Sequence, residues 1–158
     1  MPQANAIVGA KDTLLALRDN WRCFMELTCP CNAVTLRISA EPIAQFWCHC
    51  ADCQIVHGAA YAAESIYPAA AIEIVSGETT TFALKTTPRI SCARCGTRLV
   101  VELAAIEMRA VNGYLLKDDF RPSLHIHCRE AVAPVKDGLP HFATMPAAFG
   151  GEDNMVDW

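Results

Sequence analysis

The stretch TCPCNAVTLRIS, residues 28–39, joins a pair of closely spaced cysteines to an alternating run. Val34, Leu36 and Ile38 are apolar, whereas Thr35, Arg37 and Ser39 are polar. That period of two is the signature of a half-buried strand, because successive side chains of an extended chain point to opposite faces. Cys29 and Cys31 are two positions apart, so on extended backbone both sulfurs turn to the same side. Asn32, which follows them, tolerates a left-handed backbone better than most residues.

The same features recur in both directions. Upstream, Trp21, Cys23, Met25 and Leu27 alternate with Arg22, Phe24, Glu26 and Thr28. Downstream, QFWCHC, AYAAESIY ending at Pro68, AIEIVSG, TTTFALK, TRLVVEL, MRAVNGYLL and SLHIH have strand character. Turn residues separate them, among them Ser76-Gly77, Pro88 and Asn112-Gly113, the last a candidate hairpin turn. Many short strands at close spacing predict a mainly β fold of antiparallel strands. Residues 10–20 carry helix formers, with Leu14, Leu15 and Leu17 on a rough apolar face, and predict a short N-terminal helix. The expected organisation is an extension over residues 1–20, a single metal-binding domain over 21–145 and a flexible tail over 146–158, in which Trp158 can still dock.

A chain of 158 residues, 53% hydrophobic and 19% charged, suits one folded domain with its own core. The net charge of −4 and the scattered arginines and lysines provide no basic stripe, so nucleic acid is not an expected partner. No apolar run approaches the length of a membrane span, and the first residues lack the pattern of a signal peptide. The expected location is the cytoplasm, with no membrane partner. In that reducing setting nine cysteines point to metal or redox chemistry rather than to disulfides.

Seven of the nine fall into three groups: Cys29 and Cys31; Cys48, Cys50 and Cys53 in CHCADC; Cys92 and Cys95 in SCARCGT. Thiolates are soft ligands and tetrahedral sulfur sites favour zinc, so Zn2+ is the expected ion. Pairing Cys29 and Cys31 with Cys92 and Cys95 would staple two distant segments and let metal binding contribute to folding, although spacing does not force it. Cys-x-x-Cys closes a tight turn, and Gly96 after Cys95 supplies permissive backbone for it. Cys48, Cys50 and Cys53 would then hold a second zinc with an open fourth position, as catalytic zinc sites do. Two other readings stay open: a histidine or Cys128 completes an inert site, or Cys50 and Cys53 form a redox pair without metal.

Other residues read less sharply. His49, between two cysteines, faces away from them on a strand and reads as a packing or supporting residue. His57 lies close enough along the chain to visit an open zinc position. His125 and His127 share a face in LHIHC, as an ordinary strand pair or as a histidine metal pair. Cys23 and Cys128 read as small buried hydrophobes. Arg37, Arg89, Arg94 and Arg98 read as solvated charge or as anchors for a substrate carboxylate.

The motifs CPCNAV, CHCADC with HGAAY shortly after it, RISCARCGT and RPSLHI occur in this order across residues 28–140. In this the chain resembles the glutathione-dependent formaldehyde-activating enzymes, whose domain is shared with centromere protein V. The resemblance implies an Mss4-like β-tent zinc fold, a structural zinc on Cys29, Cys31, Cys92 and Cys95, and a labile active-site zinc on Cys48, Cys50 and Cys53, which would be the catalytic residues. It further implies a carbon–sulfur lyase similar to S-(hydroxymethyl)glutathione synthase, with glutathione and formaldehyde as small-molecule partners. A scaffold of the same fold without turnover, or an enzyme of this fold acting on another thiol or carbonyl compound, are the alternatives. Two departures stand out: Asn32 where the family usually has glycine, and a longer segment ahead of the first motif.

Overall fold

A computed structural model describes residues 24–158. The helix expected over residues 10–20 and the start of the first expected strand, Cys23 included, lie outside the described residues. Within them the protein is mainly β, with ten strands in two sheets and one short α-helix.

The smaller sheet joins β1 (Met25–Thr28), β2 (Thr35–Ile38) and β5 (Ile72–Ser76) in the order β1-β2-β5, all antiparallel. The larger sheet adds β3 (Ala44–Cys48), β4 (Ala62–Pro68), β6 (Thr79–Leu84), β7 (Thr87–Cys92), β8 (Arg98–Leu103), β9 (Met108–Asn112) and β10 (Leu124–Ile126), in the order β10-β3-β4-β9-β8-β7-β6. Helix α1 (Ala51–His57) connects β3 to β4. The β10–β3 pair runs parallel, with His125 opposite Trp47 and Ile126 opposite Cys48, so the expectation of antiparallel strands holds for every other pair. β10 reaches β3 from β9, not by a hairpin, so nothing in the connection imposes the antiparallel direction.

The apolar faces close on one core. Val34, Leu36 and Ile38 are buried with Leu27, Tyr67, Ile72, Leu99, Val100, Val111 and Leu116. Cys29 and Cys92 belong to the same cluster, so one cysteine centre is built into the core.

Two local readings are corrected, and one element was not foreseen. Pro88 is not a break: it lies in β7 opposite Ala83, and pairing to β8 begins only at Arg89, so no ladder bond on that side is lost. Asn112-Gly113 makes no hairpin; the Asn112 side chain accepts the Tyr114 N–H and the chain enters a 3-10 turn. Gly113 is fixed there by contact, since a Cβ would come within 2.6 Å of the Phe120 ring. The segment after Cys50 is helical, capped at its end by left-handed Gly58.

Among the described residues no helix is long and apolar enough to cross a membrane.

Candidate metal centres and their surroundings

The loop between β1 and β2 and the turn between β7 and β8 meet at four sulfurs. Asn32 is left-handed at φ +57°, its N–H bonded to the Cys29 carbonyl, which folds Cys29 and Cys31 to one side. Gly96, at φ +71°, does the same for Cys92 and Cys95, with its N–H on the Cys92 carbonyl. Cys29 Sγ lies 3.5 Å from Cys31 Sγ and 3.7 Å from Cys92 Sγ, and Cys31 and Cys92 are also 3.7 Å apart. The Cys95 sulfur completes a group whose members all lie within 4.8 Å of one another. Zinc–sulfur bonds of about 2.3 Å set the edge of a tetrahedron at about 3.8 Å, so this donor set fits zinc. Burial alone would raise the Cys29 thiol, but the Val34 N–H at 3.3 Å and its thiol neighbours hold it below the ordinary value. That favours the thiolate a metal needs.

The second group forms where β3 ends and α1 starts. Cys48 is the last residue of β3, Cys50 caps α1 by accepting the Cys53 N–H at 3.4 Å, and Cys53 sits in the first helical turn. Helix capping brings the N-cap side chain over the N3 position, which explains why this spacing converges. The three sulfurs lie within 4.8 Å of one another, and among the described residues no histidine, cysteine or carboxylate joins them as a fourth ligand. Hydrogen bonds from the Cys48 and Cys53 thiols pull Cys50 far below the usual thiol range, while donation to Cys50 and Cys53, together with burial, pushes Cys48 far above it. A zinc ion fits this set also, with one position left for exchange.

An ion pair adjoins this group. Glu64 on β4 lies 4.0 Å from Cys53 Sγ and pairs with Arg98 on β8 at 3.1 Å. Arg98 also donates to the carbonyls of Ala63 and Ala110. It lines a recess of about 230 Å³ with His57, Tyr61, Asn112 and Tyr114. His57 faces this recess and does not join the three sulfurs. Burial, then the nearby charges of Arg98 and Arg89, push its imidazole down to about 4.

The remaining sequence candidates separate. His49 is buried and its Nε2 meets His125 Nδ1 at 2.9 Å. His127 does not share a strand face with His125, because the backbone turns left-handed at His127, φ +56°, and its ring lies 3.9 Å from Glu130. Cys128 is buried outside both sulfur groups, and burial pushes its thiol up to about 11. Arg37 pairs with Glu26 and Glu73, and Arg94 is exposed. Arg89 and Arg98 are buried, against the reading of solvated charge, because each finds carbonyl or carboxylate partners inside the fold. Sequence reasoning missed Glu64, Asp137 and His141; the signal available for Glu64 was a lone acid in an otherwise small and apolar strand.

The comparisons agree with this geometry at the level of family and fold. The family described as glutathione-dependent formaldehyde-activating enzyme matches residues 24–130. No curated protein matches the sequence. The crystal structure of a Rhodobacter sphaeroides protein, a structural genomics target, is similar at a TM-score of 0.50 and 22% identity, covering 59% of this chain and 88% of that one. That likeness concerns the fold. The match to the family takes in both cysteine groups and the strands that carry them, and the chain belongs to the glutathione-dependent formaldehyde-activating enzyme family.

Proposed function

We propose that the protein joins glutathione and formaldehyde, as a carbon–sulfur lyase similar to S-(hydroxymethyl)glutathione synthase, with Cys48, Cys50 and Cys53 holding an exchangeable zinc and Cys29, Cys31, Cys92 and Cys95 a structural one. The observation that carries this reading is the convergence of three sulfurs without a fourth ligand among the described residues, with the Glu64–Arg98 pair between Cys53 and a recess that Arg98 lines. The family is named for this enzyme activity. A zinc ion on the three thiolates would lower the pKa of an incoming thiol or polarise a carbonyl oxygen.

The protein's own groups prepare the site. The cap on α1 sets the Cys50–Cys53 geometry, and the Glu64–Arg98 pair fixes the wall next to Cys53. Tyr61, Asn112 and Tyr114 give the recess apolar surface and hydrogen-bonding groups for part of a thiol substrate. In the reaction the glutathione thiol releases its proton to solvent, its sulfur forms a bond to the carbonyl carbon, the π pair of formaldehyde moves to oxygen, and that oxygen takes a proton back from water. Holding both reactants together supplies orientation. A cytoplasmic location belongs to the same proposal.

Thiol and aldehyde combine without help, so the test is acceleration. Magnetisation exchange between free and hydroxymethylated glutathione, at equilibrium, should quicken with the wild-type protein and return to the uncatalysed rate with Cys50→Ser. No acceleration by zinc-loaded wild type would leave a non-catalytic module. Acceleration with other thiols but not glutathione would replace the substrate.

A further inference from the structure

The cysteine centres do not account for a cluster at the other side of β3, where His49, His125, Asp137 and His141 meet. We propose that His125, Asp137 and His141 form a third metal site, for a divalent transition ion such as zinc or cobalt. It does not depend on the proposed reaction.

Donor geometry comes first. Asp137 reaches both imidazoles with its two oxygens, at 2.8 Å from His125 Nε2 and 3.5 Å from His141 Nε2, and the three donor atoms lie within 4.8 Å of one another. Metal–nitrogen and metal–oxygen bonds near 2.0–2.2 Å give a tetrahedral edge of about 3.3–3.6 Å, so the His141 contact of 3.5 Å already falls in that range and the His125 contact opens by about half an ångström or more on binding. Two imidazoles and a carboxylate, with no thiolate, select a borderline ion of this kind.

Ring orientation is the second argument. His125 is fully buried, and its Nδ1 is turned to His49 Nε2 at 2.9 Å. Without metal the His125 Nε2–H donates to Asp137 Oδ2 at 2.8 Å; on metal binding that proton is displaced, Nδ1–H donates to His49, and a neighbour then holds the ligating histidine by its far nitrogen. Asp137 is held in turn, since its Oδ1 accepts the Leu139 N–H at 3.1 Å.

Third, a hydrogen-bonded network alone leaves the cluster incomplete. His141 Nε2 is buried and makes no hydrogen bond, with the Asp137 carboxylate only in longer contact at 3.5 Å. A buried polar atom without a partner is costly, and a cation at this position would satisfy it. The backbone holds the ligands in register: His125 and His141 form a parallel bridge, with the His125 N–H on the Pro140 carbonyl and the Phe142 N–H on that of His125. Trp158 closes the cluster, its ring centroid 4.7 Å from that of His141 and 5.7 Å from that of His49.

Cobalt distinguishes this site from the cysteine centres, because only thiolate ligation produces intense sulfur-to-metal charge transfer. Metal-free full-length protein is titrated with Co2+ under reducing conditions, with bound metal counted by equilibrium dialysis. Wild type should take up one equivalent beyond those that raise the charge-transfer band. Asp137→Asn and His141→Gln should each lose that equivalent and keep the band, which also shows that they fold. If neither variant folds, nitrogen-15 spectra of the wild-type histidines decide: zinc added beyond the thiolate equivalents should shift His125 Nε2 and His141 Nε2 to ligated values. The proposal is overturned if wild type takes up no equivalent outside the thiolate band, if that equivalent survives in the variants, or if the two nitrogens do not move.

Discussion

Glu64 and Arg98 form an ion pair 3.1 Å long with side chains only 5% and 4% exposed, and the same carboxylate stands 4.0 Å from Cys53 Sγ. Burial raises the Glu64 carboxyl above its ordinary value even with the guanidinium beside it. Breaking such a pair strands a charge in the interior. Arg98→Met should therefore cost about 3–5 kcal/mol of stability, the range for removing one partner of a buried pair. Glu64→Gln also leaves Arg98 without its counter-charge, but Arg98 keeps the Ala63 and Ala110 carbonyls, so its loss should be smaller. Urea unfolding of the two variants checks the order, and a smaller loss for Arg98→Met would refute it.

The two sulfur groups should respond differently to the same substitution. Cys92 is fully buried in the core cluster, whereas Cys50 is a partly exposed helix cap. Cys92→Ser should lower the melting temperature strongly, by several kcal/mol in stability, because it opens a four-sulfur centre that links two distant loops. Serine at position 50 can still cap α1, so Cys50→Ser should cost no more than about 1 kcal/mol while removing one equivalent of metal. Calorimetry with metal analysis on both variants measures this, and equal destabilisation would mean that the ligands are divided otherwise.

Much of this arrangement is legible in the chain, for reasons that differ between residues. Val34, Leu36 and Ile38 alternate because one face of β2 is buried, so the period survives in the sequence. The cysteine pairs are local, and a left-handed Asn32 or Gly96 is foreshadowed by residue type. Helix α1 is hidden because its cap is a cysteine, which reads first as a ligand. β7 is hidden by Pro88, whose missing donor matters only where a strand pairs on that side. Asp137 and His141 lie in a loop with no period at all. Only the bridge of His141 to His125 brings them together, and no local pattern encodes a contact of that kind.

The Ser76-Gly77 turn offers a test of close packing over the first cysteine loop. Gly77 has φ +94°, and a Cβ there would stand 2.0 Å from the Ala33 carbonyl oxygen. Gly77→Ala must both strain the backbone and displace the loop that follows Cys31, for a loss of at least about 2 kcal/mol. Gly58 is the control: its φ is +57° but nothing lies within 4 Å of a Cβ, so Gly58→Ala should cost only about 1 kcal/mol. Equal losses in denaturant unfolding would argue that backbone strain alone matters at Gly77.

His57 makes stability depend on pH in a defined window. Burial beside Arg98 and Arg89 pushes its imidazole from 6.5 down to about 4, with the Cys50 thiolate opposing in part. The folded state therefore holds His57 neutral where the unfolded chain has begun to take up a proton. Stability contributed by this group is complete above pH 6.5, falls as pH drops from 6.5 towards 4, and is flat below, because both states are then protonated. His57→Gln removes the titration and keeps a polar side chain at the recess. The unfolding free energy of wild type minus that of His57→Gln should decline across this window and be level on either side of it. A difference that stays constant from pH 7 to 4 would show that the imidazole titrates alike in both states, and that neither burial nor the two arginines controls it.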